Sequence, residues 1–227
     1  MYTLQGPLES PYLKLCWRAT DPNAMTARQE VANAVTMLAP SACYVCMLCL
    51  HRVDPQSVDA QPSTALLMLT LATVMHLPLS FAYHMGMAMN RYDDRLDNDV
   101  RRLDQTYIHL AASVYACALS SSAAFMACAC CVNLISIVFV WRAETSNDGK
   151  RWVPALVSSL LPTAPVLQRG EARNFLLASA GILLGGLPFV PRINQHVFKG
   201  WGHALFHVNL SAYAYGLGSS ALALQPL

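Results

Sequence analysis

Charged residues are scarce in this chain of 227 residues, and their scarcity excludes most classes of soluble protein. Asp, Glu, Lys and Arg together make up 12% of the sequence, whereas soluble domains contain about 25%. Apolar residues make up 55%, and the mean hydropathy is +0.35. Each membrane crossing needs about 20 apolar residues. We therefore expect a membrane-embedded protein without room for a separate soluble domain.

The sequence also lacks an excess of charge of one sign. Its 15 basic residues face 13 acidic residues, which gives a net charge of +2. Such a balance does not predict a patch directed at phosphates, so nucleic acid is not an expected partner. The first thirty residues lack a continuous apolar run followed by a cleavage site, and we expect no removable signal peptide.

The eight cysteines do not predict a disulfide framework. Seven of them lie in apolar runs, where a small thiol packs well and is unreactive. Cys43 and Cys46 have the spacing of a zinc ribbon, but their run lacks the turn that such sites use. We expect these cysteines to be packing residues of membrane helices.

Long uncharged runs predict an all-α membrane protein, folded as a bundle of seven transmembrane helices. The run between Asp104 and Arg142 is too long for one crossing of about 30 Å, so we place a turn at residues 120–122. The bundle occupies residues 30–224, between an N-terminal segment (1–29) and a short tail (225–227). The candidate spans are residues 31–50, 64–84, 105–122, 123–141, 152–168, 174–191 and 201–224.

The distribution of Lys and Arg predicts the orientation of the bundle, because short cytoplasmic loops are rich in these residues. With seven spans, twelve of the fifteen basic residues fall on the side that holds the N-terminus. The three on the other side are Arg52, Arg169 and Arg173. We therefore expect the N-terminal segment in the cytoplasm and the C-terminus outside or in a lumen.

Five polar residues are functional candidates because ionisable side chains are costly inside a membrane. Ser80 and His84 lie four residues apart at the end of the second span. Asp104 stands at the start of the third span, and His203 and His207 open the seventh. These ends lie on the same side, so the five residues are expected at one depth. Three imidazoles with an open position for water are typical of catalytic zinc, although imidazole also binds other late transition metals.

Single residues of this kind have simpler interpretations. A lone histidine in a membrane helix more often forms a hydrogen bond to a neighbouring helix, which we expect of His76 and His109. Asp104 alone would be the last solvated charge of its loop. The spacing of Gly181 and Gly185 predicts close helix packing rather than phosphate binding. The conjunction of the five polar residues, rather than any one of them, favours a metal site.

The same short patches resemble those of a known superfamily. Ser80-x-x-x-His84, Arg102-Leu103-Asp104 and Gly202-His203-Ala204-Leu205-Phe206-His207 are similar to the signature patches of the seven-span membrane hydrolases. That superfamily contains the alkaline ceramidases, the progestin and adipoQ receptors, and the haemolysin III proteins. The stretch from Glu30 to Thr36 resembles the opening of the haemolysin III and adipoQ receptor branch. The resemblance covers residues 30–224. It departs at Met37, where haemolysin III proteins usually have histidine, and at residues 105–109, which replace a glycine-rich run.

The resemblance implies a role for each candidate. His84, His203 and His207 would bind Zn²⁺, Asp104 would accept a proton from the activated water, and Ser80 would form a hydrogen bond at the reacting centre. The implied activity is hydrolysis of a lipid amide, as in ceramidases, or of a lipid ester, so a membrane lipid is the expected substrate. Two alternatives remain open: an adipoQ receptor-like protein with structural zinc, and a haemolysin-like protein that disrupts membranes. The last lacks support from a long amphipathic segment.

Overall fold

The computed structural model describes residues 25–53, 63–92, 98–142, 148–189, 193 and 197–224. Every element of regular secondary structure in these residues is a helix, which confirms the all-α fold. The helices are α1 (Ala27–Thr36), α2 (Leu38–Val53), α3 (Thr64–Ala88), α4 (Asp99–Leu119), α5 (Ala123–Arg142), α6 (Asp148–Leu160), α7 (Thr163–Gln168), α8 (Ala172–Gly186), a short 3₁₀ helix (Leu187–Phe189) and α9 (Gly202–Leu222). Most of the N-terminal segment and the tail 225–227 lie outside the described residues.

Within the part of the chain that the structure describes, three helical segments are long and apolar enough to cross a membrane. They are Ala27–His51, which joins α1 and α2, together with α3 and α5. The segment Val153–Gln168, which covers most of α6 and all of α7, is apolar but shorter. Along α5, large apolar side chains such as Leu134 and Phe139 are exposed. Water would not favour this surface, whereas lipid would, so the helices support a membrane protein.

Prolines explain where the helices depart from the expected spans. Pro40 has no N–H to donate to the carbonyl of Thr36, and α1 gives way to α2 at Met37. Pro162 likewise stands between α6 and α7, so the fifth expected span is two short helices instead of one. The turn expected at residues 120–122 is confirmed, because α4 ends at Leu119 and α5 begins at Ala123.

The close packing predicted from Gly181 and Gly185 is also confirmed. These glycines lie on α8 against α9, and the two helices form the most extensive helix pair of the described residues. A Cβ atom on Gly181 would lie 2.7 Å from the backbone nitrogen of Tyr213. A Cβ atom on Gly185 would lie 3.0 Å from the ring of Phe206. At Gly181 only glycine allows this approach, because the nearest atoms are backbone atoms. The close contact sets the position of α9, which carries two of the histidines.

The apolar core occupies one end of the bundle. Its largest members come from the beginning of α3, the end of α4 and the end of α9, and include Leu66, Leu119 and Leu217. His84, Asp104 and the pair on α9 belong to the opposite ends of the same helices. The candidate site therefore lies at the other end of the bundle from the core.

Arg169 and Glu171 form a hydrogen-bonded polar corner at the end of the bundle near the core. The Arg169 guanidinium donates to the carbonyl of Leu119 and to the hydroxyl of Ser220, and so joins α4 to α9. It also pairs with Glu171 at 2.7 Å. Burial raises the pKa of Glu171, but hydrogen bonds from Asn174 and Arg169 outweigh it and hold the pKa below its ordinary value.

Candidate metal centre

Three histidines converge at the end of the bundle that lies opposite the core. His84 comes from the last turns of α3, and His203 and His207 lie one turn apart on α9. One ring nitrogen from each lies within 4.8 Å of the other two. The rings meet edge to face, with centroids 4.8 Å apart for His84 and His203 and 4.6 Å apart for His203 and His207. The group of ligands expected from the sequence is thus present as a cluster.

Helix α1 packs behind this cluster and fixes the orientation of His84. Oε2 of Glu30 lies 2.7 Å from Nδ1 of His84, and both side chains are 1% exposed. An ionised carboxylate only accepts hydrogen bonds, so Nδ1 carries the proton and donates it. The other ring nitrogen, Nε2, therefore keeps its lone pair for a metal ion.

Helix α1 orients His207 in the same way. Nδ1 of His207 lies 2.9 Å from the backbone oxygen of Asn33 and 3.2 Å from Oγ1 of Thr36. The Thr36 hydroxyl donates to the carbonyl of Ala32, so its oxygen is available to accept from Nδ1. In both histidines Nδ1 is thus bound to α1, which leaves Nε2 as the ligand atom.

The N-terminal end of α1 is itself held in place. Thr26 and Gln29 form a reciprocal capping box, in which each side chain binds the backbone of the other residue. Nε2 of Gln29 also donates to the backbone oxygen of Lys199, 2.8 Å away. These bonds attach α1 to the segment that leads into α9, and so keep Glu30 beside the histidines.

The donor set fits a late transition metal. Nitrogens that bind one tetrahedral zinc ion at about 2.0–2.1 Å lie roughly 3.3 Å apart. The largest separation here is within 4.8 Å, so modest rotation of the rings would bring the three nitrogens to the ion. Three imidazoles leave one tetrahedral position for water, which is the arrangement of catalytic rather than structural zinc.

Asp104 is buried close to the cluster, where it contacts His76, a residue that we expected to form a hydrogen bond to a neighbouring helix. Helix α4 begins at Asp99, capped by Asn98, so Asp104 lies in the second turn rather than at the edge of the span. Its Oδ1 atom is 2.9 Å from Nε2 of His76 on α3. Asp104 also interacts electrostatically with His84 and His207.

Ser80 lies one turn before His84 on α3 and is 2% exposed. His76 lies one further turn back, so the three polar residues follow one another along the same face of the helix. At His76 this face meets α4, which carries Asp104, and at His84 it meets α1 and α9. The hydroxyl and the carboxylate are thus buried on neighbouring helices near the histidines.

Sequence reasoning missed one residue of this arrangement, Glu30, and did not predict the partner of another, His76. Glu30 supported the family resemblance but was not assigned to the site. The hydrogen bond expected between His76 and a neighbouring helix is confirmed, but its partner Asp104 was not predicted. His109 is the kind of residue expected: its Nδ1 lies 2.7 Å from the Ser158 hydroxyl of α6. For His76, the spacing of four residues to Ser80 and again to His84 was a usable signal.

The three histidines lie at the same end of the helix bundle as the buried carboxylate of Asp104 and the buried hydroxyl of Ser80. Such a set can bind a metal ion, accept a proton and donate a hydrogen bond to a carbonyl group. Comparison of the chain with protein-family models, with curated proteins and with solved structures found no match. The functional argument therefore depends on the geometry of the chain itself.

Proposed function

We propose that this protein is a zinc-dependent integral membrane hydrolase that cleaves a lipid amide bond, as ceramidases do, or a lipid ester bond. The observation that carries the proposal is the cluster of His84, His203 and His207, with Nδ1 of two rings bound to α1. We place the chain in the haemolysin III and adipoQ receptor branch of the seven-span hydrolases, on the motifs described above.

The proposed architecture is a bundle of seven spans with a cytoplasmic N-terminus. It is supported by three helical segments of sufficient length and apolarity, and by the asymmetry of basic residues across the expected loops. In this orientation the histidine cluster lies in the cytoplasmic half of the membrane. The same distribution of basic residues applies to plasma and internal membranes.

Each polar residue of the site has a proposed role. The three histidines would hold the ion, and zinc bound there would act as a Lewis acid that lowers the pKa of bound water toward about 7. Asp104 accepts a proton as the general base and passes it to the leaving group. The Ser80 hydroxyl donates a hydrogen bond to the oxygen of the scissile carbonyl. Glu30 orients His84.

A lipid is the proposed substrate because a mostly apolar groove adjoins the cluster. A groove of about 350 Å³ lies between α1 and α9 and is open to the outside of the bundle. Thr36, which contacts His207, is one of its lining residues. The others are Ala32, Trp201, Ala204, Leu205 and Val208. An acyl chain would find apolar contacts there next to the site.

The test is release of fatty acid from a panel of ceramides, other N-acyl amides and phospholipids by the purified protein, measured by mass spectrometry. The Asp104→Asn variant should lose turnover by about 10²–10⁴-fold while it keeps its metal. Asp99→Asn is the matched control, because Asp99 lies on the same helix with a side chain that is 76% exposed. A folded, metal-loaded protein that hydrolyses no member of the panel would contradict the proposal.

The panel also separates the hydrolase from the receptor-like alternative. A receptor-like protein with structural zinc would hydrolyse no lipid of the panel. Asp104→Asn would then leave its ligand response unchanged, and removal of the metal would unfold the bundle. Leakage of dye from liposomes is the matching test for the haemolysin-like alternative.

A further inference from the structure

A buried pair formed by a histidine and an aspartate lies between α3 and α4. Nε2 of His76 is 2.9 Å from Oδ1 of Asp104, and the two side chains are 11% and 12% exposed. Ionisable residues at this depth of a helix bundle are costly, and each needs a partner. The two residues supply this partner to each other.

The imidazole of His76 is held by more than its bond to Asp104. It stacks on the ring of Tyr107, with centroids 5.5 Å apart and planes inclined by 11°. Tyr107 lies three residues after Asp104 and therefore on the same side of α4. The helix that carries the carboxylate thus also fixes the plane of the ring that binds it.

We propose that His76 is a positioning residue for Asp104. Its Nε2–H group donates to Oδ1 and fixes one oxygen of the carboxylate, which leaves Oδ2 as the oxygen that accepts a proton. This inference rests on the proposed function for its catalytic consequence, but the bond itself can be tested without any substrate. A neutral histidine has one N–H donor, and a carboxylate partner at Nε2 selects the tautomer that carries it there.

The placement of His76 supports a directed role over simple helix packing. His76, Ser80 and His84 occupy successive turns of α3, so the residue that holds the carboxylate, the hydroxyl and a metal ligand share one rigid element. A general base works only if its oxygen is held within hydrogen-bond reach of the reacting proton. A carboxylate fixed by a buried donor loses less rotational freedom when substrate binds.

The first experiment observes the bond directly in the detergent-solubilised protein as purified, labelled with ¹⁵N-histidine. A strongly hydrogen-bonded imidazole N–H proton should be visible by NMR, should vanish in His76→Gln, and should move upfield in Asp104→Asn. The same changes should be absent in His109→Gln, which alters the buried pair formed by His109 and Ser158. A signal that is absent, or that does not respond to Asp104→Asn, would overturn the inference.

The second experiment measures catalysis on whichever lipid of the panel is hydrolysed. His76→Phe should lower kcat by about 10–100-fold and change KM by no more than about twofold, with the same metal content as the parent. His76→Gln restores an N–H donor at a similar reach and should recover most of the lost turnover. A parental kcat in His76→Phe would overturn the inference.

Matched controls separate positioning from stability. His109→Phe removes a buried imidazole that is bound to Ser158, away from the cluster, and should leave kcat unchanged. If His76→Gln lost as much turnover as His76→Phe, a packing role for the ring would replace the positioning role. If no lipid is hydrolysed, the proposed function fails, while the N–H signal still decides whether His76 holds the Asp104 carboxylate.

Discussion

Replacement of Glu30 should weaken metal binding, although Glu30 does not itself contact the metal position. The carboxylate accepts a hydrogen bond of 2.7 Å from Nδ1 of His84, and both side chains are 1% exposed. Loss of this partner frees the ring to rotate and reduces the basicity of Nε2. Glu30→Gln keeps the shape and an acceptor oxygen but removes the charge, whereas Glu30→Ala removes the contact.

The expected magnitude follows from the type of bond. A hydrogen bond to a charged group contributes about 1.5–3 kcal/mol, and each 1.4 kcal/mol corresponds to about a tenfold change in affinity. Because solvent is excluded from this pair, most of that contribution should be retained. We therefore expect the Kd for zinc to rise by about tenfold in Glu30→Gln and by up to about 100-fold in Glu30→Ala.

The assay is competition for zinc between the purified protein and a chelator of known affinity. Glu171→Gln is the control, because Glu171 is a carboxylate in a hydrogen-bonded corner at the other end of the bundle. The melting temperature of each variant shows whether the bundle remains folded. An affinity within about twofold of the parent in folded Glu30→Ala would refute the argument that α1 orients the ligands.

Three further predictions concern stability. Gly181→Val places atoms against the backbone of Tyr213 and should cost about 1–3 kcal/mol, seen as a lower melting temperature, whereas the exposed Ala180→Val should change little. Arg169→Met removes the link between the ends of α4 and α9, and should also lower the melting temperature. Because the pKa of Glu171 is lowered in the folded protein, its ionised carboxylate stabilises the fold fully above the ordinary pKa of 4.5. This stabilisation is lost as the pH falls through the lowered value. Between about pH 6 and pH 3, the melting temperature should therefore fall less in Glu171→Gln than in the parent protein.

Local spacing in the sequence predicted the features that depend on one or two helices. The turn at residues 120–122 follows from the length of a membrane crossing, and the contact at Gly181 follows from small residues one turn apart. The pair His203 and His207 shares a face of α9 because of its spacing alone. These two histidines meet His84 because the end of α3 and the start of α9 lie at the same end of the bundle.

The contacts that complete the site join residues that are distant in the sequence. Glu30 and His84 are 54 residues apart, and His76 and Asp104 are 28 residues apart. No periodicity within a span specifies which side chain of the next helix a buried group will meet. The start of α4 was placed too late because the charges of residues 99–104 resembled a loop, although Asn98 caps a helix there.

The central claim is that His84, His203 and His207 bind one metal ion, and metal content is its most direct test. Mass spectrometry of the purified protein should find about one zinc ion per chain, since three imidazoles and water complete a tetrahedral site. A folded His203→Ala/His207→Ala double variant should contain almost none. Absence of metal from folded parent protein supplied with zinc, or an equal content in the double variant, would contradict the claim.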